Sequence, residues 1–166
     1  MPTKTRPPHS SRRTVRDSQV EMTQLVLPND TNQLGNLLGG RLMEWMDIAA
    51  AISAQRHSNR VCVTAAVDDL VFHQPIRLGE VVTLRASVNR AFGTSMEVGV
   101  SVIAENQLTG ARKTANTAYL TFVAVDDQLL PAPVDPIRPV TPDQKRRFRE
   151  ALRRRTLRLH RKHRGK

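Results

Sequence analysis

Eleven consecutive residues, Leu42-Met43-Glu44-Trp45-Met46-Asp47-Ile48-Ala49-Ala50-Ala51-Ile52, put apolar side chains on nearly every face of a helix. The run is long, unbroken and Ala-rich, which makes it a helix by propensity. A helix apolar all round has to be buried on most of its sides, so the rest of the chain must wrap it. Four strand candidates follow, in residues 61–72, 81–91, 95–105 and 111–125, and a shorter β-like run in 20–27 stops at Pro28-Asn29-Asp30. In 95–105, Met96, Val98, Val100 and Val102 alternate with Ser95, Glu97, Gly99 and Ser101, the period of two of a sheet with one covered face. Short connections carrying Gly79, Gly93 and Gly110 suit antiparallel hairpins. The expected class is α+β: one curved antiparallel sheet wrapped around one long buried helix.

The 166 residues suffice for one domain with appendages, which excludes an enzyme with separate cofactor and substrate lobes. The net charge of +11 is carried by the ends: residues 1–17 hold five cations against Asp17, and residues 139–166 hold twelve against Asp143 and Glu150. The 121 residues between them hold nine cations and twelve carboxylates, so the basic character belongs to the tails. Four segments are expected: a mobile basic tail over 1–17, a folded domain over 18–127, an extended connector with five prolines over 128–142, and a solvated basic helix or tail over 143–166. The single cysteine, Cys62, excludes an internal disulfide, and its spacing from the five histidines fits no metal site. No apolar run reaches the roughly 18 residues of a membrane span, and no apolar segment follows the N-terminal charges as in a secretory signal. A soluble, cytoplasmic protein is expected. A domain of this size leaves sheet edges uncovered, which points to at least a dimer.

The stretch Leu27-Pro28-Asn29-Asp30-Thr31-Asn32-Gln33-Leu34-Gly35-Asn36-Leu37-Leu38-Gly39-Gly40, followed by Leu42-Met43-Glu44-Trp45-Met46-Asp47, resembles the hotdog-fold acyl-CoA thioesterases, the bacterial and cytosolic long-chain acyl-CoA hydrolases in particular. The resemblance continues through Val63-Thr64-Ala65-Ala66-Val67-Asp68, Phe72-His73-Gln74-Pro75-Ile76, Gly79-Glu80, Gly93-Thr94-Ser95-Met96-Glu97-Val98 and Phe122-Val123-Ala124-Val125-Asp126, spanning residues 20–127. It implies a hotdog fold, dimers whose sheets join, trimers of dimers, and an active site at the dimer interface. It further implies Asp47 as the catalytic carboxylate and Asn32, from the partner subunit's loop, as a co-catalytic amide. Thr64 then holds the attacking water, and Gly39 and Gly40 bring backbone N–H groups to the thioester carbonyl. The substrate implied is acyl-CoA, with no cofactor, since coenzyme A is part of substrate and product. Leu38 departs from the family, which usually has an aromatic or histidine before the paired glycines; the departure bears on acyl preference.

The residue types suit thioester hydrolysis. An apolar surround of Met43, Met46, Ala50 and Ala51 makes a carboxylate at 47 a stronger base. The helix start after Gly40 offers unpaired N–H groups to a developing oxyanion. Asp47 fits either a base acting on water or a nucleophile forming an anhydride. Arg90, Ser95, Arg112 and Lys113, at predicted strand ends, are the candidates for the phosphates of coenzyme A. Without the resemblance, Asp47 would be an ordinary helix carboxylate, Asn32 a turn residue and Thr64 a strand residue. A rival from another class is a noncatalytic hotdog module that senses acyl-CoA and binds nucleic acid through its tails. No aromatic interleaving accompanies the tail cations, so a solvated tail that touches nucleic acid or an anionic surface only nonspecifically is the plainer expectation.

Overall fold

The computed structural model describes residues 13–164, with the side chains of residues 69 and 162–164 excepted. Seven regular elements follow in order: β1 (Val20–Leu25), α1 (Gly39–Ser58), β2 (Val61–Phe72), β3 (Val81–Phe92), β4 (Ser95–Glu105), β5 (Arg112–Val125) and α2 (Pro142–Arg164). The five strands form one antiparallel sheet in the order β1-β3-β4-β5-β2, so β2 is an edge strand although it follows α1 directly.

The alternation expected of β4 appears in the structure: Met96, Val98, Val100, Val102 and Ala104 lie on the inner face and are buried against α1. Leu84, Val88, Leu120 and Phe122 join Met46, Ala49, Ala50 and Ala54 in the same core. Removing a side chain such as Met46 or Phe122 from water contributes about 1.5–3 kcal/mol. The helix covers Gly39–Ser58, longer at both ends than residues 42–52, and stops where Asn59 turns left-handed with φ of 50°. It is also less enclosed than its composition implies. Met43, Ile48 and Ile52 stay partly exposed, because one chain's sheet does not enclose the helix.

The tails differ more from expectation. Residues 1–12 of the expected mobile segment lie outside the described residues, but from Arg13 on the chain packs. A 3-10 turn at Val15–Ser18 buries Val15 in the core, and the Arg13 guanidinium donates to the carbonyls of Arg56 and His57 at 2.7 and 2.6 Å, capping the negative end of α1. The proline connector is extended but strapped down: Ala132 donates to the Ala124 carbonyl and Val134 to that of Gly93, while Ala132, Val134 and Ile137 are buried. The basic segment is a helix docked across the outer face of the sheet, so the expected solvated tail is half tertiary structure. Its Ala151 is buried and its Arg154 makes a bidentate pair with the fully buried Glu97. Among the described residues no helix is long and apolar enough to cross a membrane.

Candidate active site

Asp47 lies in the middle of α1, and one of its oxygens accepts a 2.7 Å hydrogen bond from the Thr64 hydroxyl. Seventeen residues separate the two in sequence; the turn at Asn59 brings β2 back alongside the helix. They sit on a cavity of about 400 Å³ lined by Gly40, Met43, Met46, Val67, Leu70, Ala118 and Leu120. One bonded oxygen is oriented by Thr64, which leaves the other free to face the cavity. Asp47 is half-buried and Thr64 exposed, so the apolar surround anticipated for the carboxylate is open on one side in a single chain.

The cavity departs from regular strand geometry, and the departure builds it. β2 is out of step with β5 between Thr64 and Ala66 and again between Asp68 and Val71, each time with one extra residue on β2. Two bulges convert the period of two into a period of three, so Thr64, Val67 and Leu70 all face the same cavity. This was not legible beforehand, because nothing in Ala65-Ala66 or Asp68-Asp69-Leu70 marks an unpaired residue.

The first turn of α1 closes one end. Leu42 is the first residue whose N–H reaches back into the turn, to the Leu38 carbonyl at 3.0 Å, so the N–H groups of Gly39, Gly40 and Arg41 have no intrahelical acceptor. At Gly40 an added Cβ would meet nothing within 4 Å, and this residue borders the Asp47 cavity. Gly39 faces the other way, into a second cavity of about 380 Å³ with Phe72, His73 and Gln74, and a Cβ there would stand 3.2 Å from the Phe72 ring. The paired glycines thus have different reasons: close packing at Gly39, an open approach at Gly40.

Asn32 does not line the Asp47 cavity of its own chain. Its side-chain carbonyl accepts the N–H groups of Leu34 and Asn36 at 3.0 and 3.2 Å, which stiffens the exposed loop and turns the amide NH2 outward as a donor. The four residues assigned to coenzyme A do not form one rim. Ser95 begins β4 opposite Val123, whereas Arg112 begins β5 opposite Glu105, about 33 Å away along an antiparallel pair. Arg112 pairs with Glu105, Lys113 with Glu80 and the Pro75 carbonyl, and Arg90 stacks on Phe148 while donating to its carbonyl. The sequence reading also passed over Asn116, fully buried on the inner face beside the lining residues Ala115 and Ala118, with no partner for either amide atom. In sequence it stands between Thr114-Ala115 and Thr117, with nothing to set it apart from its polar neighbours. A larger cavity, about 770 Å³, lies on the outer face between β3 and the start of α2, away from the Asp47–Thr64 pair. Among the described residues no group of histidine, cysteine or carboxylate side chains is arranged to hold a metal.

Residues 34–111 match the family described as the thioesterase superfamily. The uncharacterized acyl-CoA thioester hydrolase YkhA of Bacillus subtilis is 41% identical over 89% of this chain and 86% of its own. Mouse acyl-coenzyme A thioesterase 11 is also 41% identical, over 86% of this chain, which spans only 24% of that larger protein. Two solved structures superpose closely. A hexameric acyl-CoA thioesterase has a TM-score of 0.88 at 38% identity, covering 90% of this chain and 96% of its own. The acyl-CoA hydrolase of Staphylococcus aureus, solved with butyryl coenzyme A, has a TM-score of 0.87 at 32% identity, covering 93% and 94%. Variants of the latter have been solved with an aspartate, a threonine or an asparagine replaced by alanine, the residue types found here at 47, 64 and 32.

Proposed function

The chain belongs to the thioesterase superfamily, and from that membership we propose that it is an acyl-CoA thioesterase, hydrolysing acyl-CoA to the free acid and coenzyme A. The observation that carries the reading is the Asp47–Thr64 pair, held at 2.7 Å on the wall of an apolar cavity that ends at the open first turn of α1.

The acyl chain lies among Met43, Met46, Val67, Leu70 and Leu120, and its carbonyl oxygen points at the N–H groups of Gly40 and Arg41. Thr64 fixes one Asp47 oxygen, and the other takes a proton from water as the water oxygen bonds to the carbonyl carbon. Negative charge moves onto the carbonyl oxygen, where helix N–H groups stabilise it; one well-placed donor contributes about 2.7–4 kcal/mol in comparable sites. Collapse of this intermediate re-forms the carbonyl and breaks the carbon–sulfur bond, and Asp47 returns its proton to the thiolate of coenzyme A. Coenzyme A thus enters within the substrate and leaves as product.

A second copy completes the site. Edge strand β2 presents Val61, Val63 and Val71 to solvent, and α1 presents Ile48 and Ile52. An apolar edge of this length is stable in solution when another strand pairs with it. We infer a homo-oligomer, a dimer at least and a trimer of dimers as its fuller form. In it the outward amide of the partner's Asn32 reaches the water or carbonyl over Asp47.

The test is thiol release from a panel of acyl-CoA chain lengths, comparing wild type with Asp47→Ala and Asn32→Ala. Release by wild type and its loss in both folded variants is the expected result. No release with any chain length, or full release by Asp47→Ala, overturns the reading.

A further inference from the structure

The arginines of α2 cross the outer face of the sheet in step with its strands. Arg147 reaches the Ser87 hydroxyl on β3, Arg154 grips Glu97 on β4 and lies 3.5 Å over the Tyr119 ring on β5, and Arg158 pairs with Asp68 on β2. Tyr119 and Asp68 are cross-strand partners, so Arg154 and Arg158 contact adjacent strands from adjacent helical turns. The four-residue advance along a helix, about 6 Å, is close to the step between strands, about 4.8 Å. The Arg154–Glu97 pair is almost wholly buried and sets the position of α2, which carries Arg158 over the edge strand.

Asp68 stands at the second bulge of β2. Its neighbour Val67 and the bulged Leu70 face inward and line the Asp47 cavity, while Asp68 itself faces outward to α2. A bulge on an edge strand lacks the ladder hydrogen bonds that hold a regular strand in place. The Arg158–Asp68 pair, with both side chains about four-fifths buried, supplies the missing restraint.

We propose that Arg158 and Asp68 are positioning residues: their ion pair clamps the β2 bulge from outside, fixing Val67 and Leu70 and thereby the acyl chain length that the cavity accepts. The basic C-terminal helix then serves the cavity and not a nucleic acid. The inference rests on reading that cavity as the acyl site, but the clamp itself has a readout independent of turnover.

Amide hydrogen exchange over residues 66–72 in the full-length protein tests it. Arg158→Ala is expected to speed exchange there by about tenfold, because it leaves the largely buried Asp68 carboxylate uncompensated. The control Arg153→Ala, exposed on the same helix, is expected to leave exchange unchanged. The exchanged pair Asp68→Arg with Arg158→Asp should restore protection. Arg158→Lys keeps the charge on a different head group and should stay within about twofold of wild type, which keeps the test available if the alanine variant fails to fold. In parallel, Arg158→Ala should raise KM for palmitoyl-CoA while leaving kcat and KM for butyryl-CoA unchanged. Unchanged exchange at 66–72 in Arg158→Ala, or no recovery in the exchanged pair, overturns the clamp. Faster exchange with an unchanged chain-length profile overturns its role in selecting substrate. Altered exchange in a protein whose wild type cleaves no acyl-CoA upholds the clamp and overturns the hydrolase reading.

Discussion

A carboxylate at the centre of a helix acquires a chemical role from what faces it, and for Asp47 the partner is a hydroxyl 17 residues on. On the proposed mechanism Asp47→Asn keeps the shape and removes the base, so turnover should fall by about 10²–10⁴ while the melting temperature holds; steady-state kinetics beside calorimetry checks both. A single turnover in heavy-oxygen water separates the two chemistries. Label in the acid released by the first turnover fits a base acting on water, and label retained in Asp47 means direct attack. On the opposite face of the sheet, Gly99 has a purely steric role. A Cβ there would come within 2.7 Å of the Asn89 amide, which donates to Glu97 beneath Arg154. Gly99→Ala should therefore cost about 1–3 kcal/mol in denaturant unfolding, because Asn89, the extra residue where β3 falls out of step with β4 between Val88 and Arg90, is held in place by Glu97. At this scale the order of motifs singled out Asp47, Thr64 and Gly40, and the three border one cavity in the structure. Arg90 and Ser95 stand at one end of the β3–β4–β5 ladder and Arg112 and Lys113 at the other, and each of the three cations already has a partner in its own chain.

Among the elements, α1 and the four long strands announced themselves through periodicity, and their observed limits differ mainly at α1, where Gly39-Gly40 reads as loop but forms the first turn. The two bulges of β2 and the docking of α2 were hidden, since both depend on contacts between residues 46 to 90 positions apart. The C-terminus of α1 is tied to the connector through His57, fully buried, whose ring Nε2–H donates to the Asp135 carbonyl at 2.8 Å. Burial holds this imidazole below its ordinary value of 6.5, with the Arg13 guanidinium adding to the effect and the Asp135 carbonyl opposing it. The unfolded chain therefore binds the proton more readily than the folded one. The stabilisation is fully present above pH 6.5 and is lost as pH falls below it. Chemical denaturation across that range should show the loss, and His57→Gln should flatten it. The apolar side of α1 has its own test: Ile48→Glu places a charge where a second copy is expected to pack. It should shift the mass measured by light scattering toward the monomer and reduce turnover with it.

For the whole molecule, the charge of the chain and the work of the chain separate. The ends together carry +14 and the residues between them −3, yet on α2 Arg146, Arg147, Arg154 and Arg158 are all paired with carboxylates of the chain itself. Binding to duplex DNA is accordingly expected to be weak and to vanish at moderate salt; tight binding that persists there, lost on deleting residues 139–166, would favour the nucleic-acid reading. The central claim is that each site takes Asp47 from one subunit and Asn32 from the other. Co-expressing Asp47→Ala with Asn32→Ala chains measures it directly, since a mixed dimer has one site with both residues intact and one with neither. Random pairing in a two-fold dimer should return about a quarter of wild-type activity, from two variants each inactive when pure. A mixture as inactive as its parents, with mixed dimers demonstrated by mass, would contradict the account.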